Sequence, residues 1–189
     1  IETSDEWIVS RTGIRERRIS HVNLEELGYV AAKRALAAAG MDPADLELIV
    51  FGTCSFDDQV PNQSSGIQVR LGAKKAAAMD VNTACTSFLY SLSTATAMIR
   101  TGVVRNALVV GVEVIAPFMD WRNRNVAVLF GDGCAALVLQ GATGLSLGMG
   151  ALFLDLEHRL YVWRMYLTFQ PASPMSWGGW ILILVYPFL

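Results

Sequence analysis

A cysteine at a predicted strand-to-helix junction has the clearest capacity for chemistry in this chain. Cys85 follows the apolar run 76–84, which predicts a buried strand, and precedes the segment 86–102, which predicts a helix ending at Gly102. The positive end of the helix dipole and the unpaired backbone N–H groups there favour a thiolate and can bind the oxyanion of a thioester under attack. The position alone fits either a nucleophile or a small buried hydrophobic side chain, and the second is the commoner use of a lone cysteine.

The other residues of this kind carry weaker signals. Cys54 and Cys134 lie at the ends of predicted strands within apolar runs, so we interpret them as buried structural cysteines. Three cysteines without a CxxC spacing predict neither a disulfide framework nor a metal site, and this usage fits a reducing cytoplasm. We expect His21 to be an exposed loop residue and His158 to be a surface or tail residue.

The elements that must position Cys85 alternate between helices and strands. Segment 23–40 predicts a helix, with Asn23 as its cap, Glu26 at the capping-box position and Gly40 at its end. Its predicted apolar stripe is Leu24, Leu27, Ala31, Ala35 and Ala38. A short turn with Pro43 at its first helical position follows, and a second helix is expected after Pro61.

The apolar runs between these helices have the length of strands. Segments 46–54, 76–84 and 106–116 predict buried strands, and their alternation with helices indicates βαβ units in a largely parallel sheet. Segments 126–130 and 134–140, joined by Gly131-Asp132-Gly133, predict an antiparallel hairpin. The predicted fold class is therefore α/β, a mixed and mostly parallel sheet with flanking helices.

Composition limits the classes of function. The chain has 189 residues, 53% apolar residues and a net charge of −2, so it is too weakly charged to bind nucleic acid or an anionic membrane by bulk electrostatics. The start is charged from its second residue, which predicts no signal peptide, and we find no apolar run long enough to span a bilayer. Charged residues become rare near Gln140, which divides the sequence into a domain at 1–140 and an apolar tail at 141–189. We interpret the tail as out-of-frame, unrelated or unstructured sequence, with a membrane-associated amphipathic end as the alternative.

Four separated segments carry a family resemblance. ETSDEWIVSRTGIRERRI, DVNTACTSFLYSLS, VVGVEV and GDGCAALVL resemble, in order and spacing, segments of β-ketoacyl-acyl-carrier-protein synthase III, a thiolase-like condensing enzyme. The resemblance covers about residues 1–140 and implies a thiolase-like N-terminal half that is incomplete at its start and truncated. Thr86 and Ser87 stand where the fatty-acid enzymes usually have Ala-Gly, which leaves the branch of the family open.

The resemblance implies an acyltransferase of fatty acid biosynthesis. Cys85 would attack acyl-CoA and hold the acyl group as a thioester, and decarboxylated malonyl-acyl-carrier-protein would then attack that group. The family's His and Asn for the second step have no match after Gln140, so we expect a truncated form that is not competent alone. Coenzyme A thioester is the substrate and no cofactor or metal is implied. The implied partners are acyl-CoA, acyl carrier protein and a second subunit, forming a cytoplasmic homodimer across strand 106–116, with no nucleic acid or membrane.

Four further residues acquire roles from the resemblance. Trp7, Arg11 and Arg124 match positions that hold coenzyme A, where an indole can stack on adenine and guanidinium groups can hold phosphate. A core aromatic residue is the alternative for Trp7. Val60 matches a residue that lines the partner subunit's acyl pocket, and its small size would admit a longer or branched chain.

Some alternatives stay open. For Arg15 and Arg17 we prefer a solvated charged face with no ligand role. Another thiolase-fold enzyme, of the hydroxymethylglutaryl-CoA synthase or long-chain Claisen type, would share Cys85 and differ in its second substrate. A non-catalytic remnant would retain the fold without turnover.

Overall fold

The computed structural model of the chain describes residues 1–141. The predictions made for the tail, including His158, therefore lie outside the described residues, and the predicted division near residue 140 stays a prediction. The helices are α1 (Asp5–Thr12), α2 (Leu24–Ala39), α3 (Gln63–Leu71), α4 (Ser87–Arg100) and α5 (Arg124–Ala127). The strands are β1 (Leu48–Gly52), β2 (Ala77–Val81), β3 (Asn106–Glu113) and β4 (Gly133–Gln140). Short 3₁₀ turns lie at Pro43–Asp45 and Ala116–Phe118.

The four strands form one sheet in the order β2-β1-β3-β4. Strand β1 runs parallel to both of its neighbours, with Ile49 opposite Ala78 on β2 and Leu108 on β3. These pairings confirm the predicted α/β class and the parallel character of the central strands. Strand β3 lies inside the sheet between β1 and β4. The prediction that strand 106–116 forms a dimer edge is therefore wrong, because both edges of β3 are already paired.

Every residue of β1 is buried, and alternate side chains serve two cores. Ile49 and Phe51 pack with α2 and α3 on one face, and Leu48 and Val50 pack with α4 on the other. A strand that is covered on both faces needs apolar side chains at every position, which explains why the sequence of β1 does not alternate between apolar and polar residues. This burial fixes the carboxyl end of β1, where the candidate site begins.

Helix α2 begins and ends as predicted, but its inner face is shifted. Asn23 Oδ1 accepts the Glu26 N–H at 2.9 Å, and Gly40 ends the helix with φ of 61°. The Glu26 carboxylate pairs with Arg70 of α3 instead of closing a capping box. The buried stripe is Leu24, Gly28, Ala32 and Leu36, and the predicted stripe residue Ala38 is exposed. Gly28 lies in the stripe because a Cβ there would be 2.8 Å from the Phe51 ring.

The predicted hairpin at 126–130 and 134–140 is wrong in its first strand. Asn123 caps the short helix α5 by accepting the Asn125 N–H at 3.0 Å, so the chain turns where an extended segment was expected. The Gly131-Asp132-Gly133 segment does not serve a hairpin turn, because the Asp132 carboxylate accepts three backbone N–H groups from elsewhere in the fold. Tertiary hydrogen bonds thus override the local turn preference of the glycines. Of the helices in the described part, none is long and apolar enough to cross a membrane.

Candidate functional site

The turn between β2 and α4 presents Cys85 at the surface of the structure. Ala84 adopts a left-handed backbone with φ of 53°, a conformation that non-glycine residues rarely take. Ser87 braces the turn, since its Oγ accepts the Thr83 N–H at 3.0 Å and donates to the Ala84 carbonyl at 2.7 Å. Thr86 Oγ1 donates to the Thr83 carbonyl at 2.7 Å. The strained backbone is therefore held by the two side chains that follow Cys85.

Two glycines allow α4 to begin directly against the sheet. A Cβ on Gly52 would lie 2.8 Å from the carbonyl carbon and oxygen of Ser87 and from Ser91 Oγ. A Cβ on Gly111 would lie 2.8 Å from the Phe88 ring. Both glycines end or interrupt apolar strands, which is the sequence signal for close backbone approach, but the sequence reasoning did not single them out. They set how close the Cys85 turn lies to β1 and β3.

Cys85 lines a groove of about 270 Å³. The groove lies at the carboxyl ends of β1 and β3, the edge where parallel sheets bind ligands. Its walls include Gly52 of β1, residues 111–113 of β3, and the first residues of β4. The groove thus combines the thiol of Cys85, an acidic side chain (Glu113) and a second thiol (Cys134).

All three cysteines are free and exposed. The prediction that Cys54 and Cys134 are buried structural residues is therefore wrong. Cys54 lies two residues beyond the end of β1, and Cys134 is the second residue of β4, so both sit where the apolar strands reach the surface. Residual desolvation nevertheless raises the pKa of each of these two thiols.

Glu113, the last residue of β3, organises the loop that follows β1. Its Oε1 accepts the Cys54 N–H at 2.9 Å, and its Oε2 accepts Ser55 Oγ at 2.5 Å and Thr53 Oγ1 at 3.2 Å. Cys54 Sγ lies 3.5 Å from the same Oε2. The sequence reasoning did not assign Glu113 a role, although a single acid at the end of an apolar strand is a visible signal.

The structure brings Trp7, Arg11 and Arg124 together. The guanidinium carbons of Arg11 and Arg124 lie 4.4 Å and 4.5 Å from the centre of the Trp7 ring. Arg11 also donates to the Trp7 carbonyl at 3.3 Å, and Arg124 donates to the Glu2 carbonyl at 3.1 Å. Trp7 is half-buried on α1, a helix with no fully buried residue, so the core alternative for this side chain is wrong. We call these three residues the indole–arginine cluster.

Asp132 joins the segments that carry this cluster. Its Oδ1 accepts the N–H groups of Ile115 and Ala116 at 2.8 and 2.9 Å, and its Oδ2 accepts the Ser20 N–H at 2.7 Å. The Asp132 N–H in turn donates to the Arg18 carbonyl at 2.7 Å. The carboxylate therefore ties the segment after α1 to the end of β3, from which the loop to Arg124 departs.

The remaining predicted residues have separate surroundings. Val60 is 91% exposed, next to Pro61 in a cis peptide bond, and has no contact with the groove of Cys85. Arg15 and His21 are exposed as predicted. The solvated interpretation of Arg17 is wrong, because its Nε and Nη2 are buried without a hydrogen-bond partner and its stem packs on Gly131. Within residues 1–141 no three His, Cys, Asp or Glu side chains are placed to hold a metal ion.

Comparison with known proteins gives one consistent answer. The family model for 3-oxoacyl-[acyl-carrier-protein (ACP)] synthase III matches residues 79–154, a range that runs past the predicted boundary at 140. Beta-ketoacyl-[acyl-carrier-protein] synthase III 2 of Vibrio cholerae is 52% identical over 139 residues, which are 74% of this chain and 38% of that protein. Beta-ketoacyl-[acyl-carrier-protein] synthase III of Clostridium acetobutylicum is 46% identical over 142 residues, or 75% of this chain and 44% of that protein.

A solved structure agrees with these relatives. The crystal structure of 3-oxoacyl-[acyl-carrier-protein] synthase III from Aquifex aeolicus superposes with a TM-score of 0.72 and 40% identity, over 74% of this chain and 46% of that one. The predicted thiolase-like α/β fold is thereby confirmed. This chain spans less than half the length of the curated relatives reported above.

Proposed function

Residues 1–140 belong to the β-ketoacyl-acyl-carrier-protein synthase III family, and from that premise we propose that this chain carries the acyl-capturing half of a fatty-acid condensing enzyme. The observation that carries the proposal is the position of Cys85, exposed on a braced turn at the start of α4 and facing a groove at the carboxyl end of the sheet. The names of the relatives favour this reaction over those of other thiolase-fold enzymes.

In the first half-reaction, the Cys85 sulfur attacks the carbonyl carbon of acyl-CoA. A tetrahedral intermediate forms, its oxyanion is stabilised by backbone N–H groups, and the carbon–sulfur bond to coenzyme A then breaks. Coenzyme A leaves as a thiol and the acyl group stays on Cys85 as a thioester. The helix dipole of α4 favours negative charge at the helix N-terminus, and Cys85 lies two residues before the first helical residue, Ser87.

The indole–arginine cluster is the proposed binding site for coenzyme A. An adenine ring needs about 7 Å between two flanking planar groups, roughly two van der Waals contacts of 3.5 Å. The present spacing of 4.5 Å between Arg124 and Trp7 leaves no room for a base between them. We therefore expect Arg124 to move away from the indole when the nucleotide binds, and Arg11 to hold phosphate.

In the second half-reaction, malonyl-acyl-carrier-protein loses carbon dioxide and the resulting enolate attacks the Cys85 thioester. The new carbon–carbon bond forms as the bond to Cys85 breaks, which releases β-ketoacyl-acyl-carrier-protein and regenerates the thiol. Stabilising an enolate needs preorganised donors. His21 is the one histidine of the described part and is exposed, so we assign it no role in this step.

An unpaired sheet edge at β2 and the exposed side chain of Val60 support a homodimer. Strand β2 pairs with β1 on one side and has no partner strand on its other side within residues 1–141. Such an edge can accept a strand from another chain. We propose that a second copy pairs along β2, and that Val60, at the exposed end of the loop after β1, reaches the acyl pocket of that copy.

The three free thiols fit a reducing, cytoplasmic location.

The proposal is tested by separating the two half-reactions. The purified chain is incubated with a series of acyl-CoA substrates, with and without malonyl-acyl-carrier-protein, and both released coenzyme A and β-ketoacyl product are measured. Stoichiometric release of coenzyme A in the absence of the malonyl substrate is expected, and Cys85→Ala should abolish it. Turnover of acyl-CoA without dependence on Cys85 would contradict the proposal.

A further inference from the structure

Two exposed thiols, Cys54 and Cys85, follow neighbouring strands at this edge of the sheet. Cys54 follows β1 and Cys85 follows β2, and these strands are neighbours. Both side chains are exposed. Exposure alone does not select one of them, so a feature of the structure must make Cys54 the poorer nucleophile.

The Glu113 carboxylate provides such a feature because it is fixed on the side of Cys54. Its Oε1 accepts the Cys54 N–H at 2.9 Å, and its Oε2 lies 3.5 Å from Cys54 Sγ. The hydroxyl groups of Thr53 and Ser55 hold Oε2 in place, and Ser55 Oγ is itself anchored by the Val114 N–H at 2.9 Å. An ionised carboxylate only accepts hydrogen bonds, so the short contact with Sγ requires Cys54 to be a protonated thiol.

We propose that Glu113 determines which thiol is acylated, by holding Cys54 as a hydrogen-bond donor while Cys85 reacts. The proposal rests on the acyl-capturing function proposed above and adds a specificity-determining residue to it. Loss of the Cys54 proton would place a thiolate beside a carboxylate 3.5 Å away, which Coulomb repulsion opposes. Burial and, after it, the charge of Glu113 raise the pKa of the Cys54 thiol, in agreement with this geometry.

The test measures thiol reactivity directly, without acyl-CoA. The full chain is treated with iodoacetamide, whose methylene carbon bonds to a thiolate sulfur as iodide leaves, and the rate at each cysteine is followed by peptide mass spectrometry. Glu113→Gln keeps an oxygen acceptor for the loop and removes the charge. We expect alkylation at Cys54 to rise about three- to tenfold, the range of one ordinary hydrogen bond. The rate at Cys85 should change less than twofold.

Asp58→Asn is the matched control, because Asp58 lies on the same loop and its carboxylate makes no hydrogen bond with Cys54, whose N–H and Sγ both contact Glu113. It should leave the rate at Cys54 unchanged. Circular dichroism checks the fold of each variant. Should Glu113→Gln not fold, Glu113→Asp, which withdraws the charge by one methylene, tests the same prediction with a smaller expected increase at Cys54.

Three results would overturn the proposal: an unchanged or lower rate at Cys54 in the folded Glu113 variant, an equal rise at Cys54 and Cys85, or the same rise in Asp58→Asn. These results are distinguishable from failure of the proposed function. Acyl capture by the unsubstituted chain is measured separately, and its absence would leave the iodoacetamide rates unaffected.

Discussion

The guanidinium carbon of Arg124 lies 4.5 Å from the centre of the Trp7 ring, although the two residues come from opposite ends of the described region. A second guanidinium, that of Arg11, lies 4.4 Å from the same ring. Two cations share one indole only when the surrounding structure holds them there, since they repel each other. The two cations are therefore held on the indole in this structure, and Arg124 has to leave the ring to admit the base of the proposed coenzyme A ligand.

The first prediction concerns this cluster. Trp7→Ala and Arg124→Ala should each lower the rate of acyl capture at subsaturating acyl-CoA by about three- to thirtyfold, the range of one aromatic–cation contact. Neither substitution should change the rate of iodoacetamide alkylation at Cys85. Arg122→Ala is the control, since Arg122 lies in the same loop outside the cluster. Equal losses in the control and the two test variants would argue against a specific nucleotide site.

The second prediction concerns Asp132, which is 8% exposed and accepts three backbone N–H groups. Asp132→Asn places an amide NH₂ against at least one of these donors, so we expect the free energy of unfolding to fall by about 2–3 kcal/mol. Asp120→Asn is the comparison, because exposed Asp120 accepts one local N–H from Arg122. Urea denaturation gives the free energy of unfolding of both variants. A loss in Asp132→Asn no larger than the loss in Asp120→Asn would contradict the predicted role of Asp132.

The third prediction concerns the close contact between Gly52 of β1 and the start of α4. Gly52→Ala would place a Cβ 2.8 Å from Ser87 backbone atoms, which cannot yield without moving the Cys85 turn. We expect a loss of stability of about 2 kcal/mol and slower alkylation or acylation at Cys85. Gly133→Ala is a fitting control for stability, since a Cβ there would have no neighbour within 4 Å. A thermal melt of Gly52→Ala that matches the unsubstituted chain would refute the packing argument.

Much of this architecture could be predicted from local sequence. Asn23 and Gly40 bound α2 as expected, and the apolar runs gave the positions of β1, β2 and β3, because caps and apolar runs leave strong local signals. The expectation that β2 is buried was wrong, since its first residue is exposed and the others are half-buried. Segment 126–130 was wrongly predicted to be a strand. Its helical turn depends on the Asn123 cap and on the distant partners of Asp132. Apolar strand composition alone does not report such long-range hydrogen bonds.

The residues of the candidate site could likewise be predicted only where they leave a local sequence signal. Cys85 could be located from its strand-to-helix junction, and the resemblance supplied Trp7, Arg11 and Arg124 without showing that their side chains meet. Glu113 was missed because its partners, Cys54 and Ser55, are far from it in sequence. The exposure of Cys54 was missed because an apolar run does not reveal where its strand reaches the surface.

The fourth prediction ranks the three thiols of the unsubstituted chain. Cys85 should be alkylated before Cys54 and Cys134, because it lies at the start of α4, whereas burial raises the pKa of both other thiols and the Glu113 charge adds to the effect at Cys54. Timed labelling with limiting iodoacetamide at neutral pH gives the order. Equal or slower labelling at Cys85 would contradict the interpretation of its turn as an activating environment.

The identity of the acylated residue tests the central claim most directly. The chain is incubated with acetyl-CoA, quenched in acid to preserve thioesters, digested and mapped by mass spectrometry, alongside Cys85→Ala. One acetyl group should appear on the peptide that contains Cys85, hydroxylamine should remove it, and the variant should carry none. An acetyl group on Cys54 or Cys134, or equal labelling in Cys85→Ala, would contradict the assignment of Cys85 as the nucleophile.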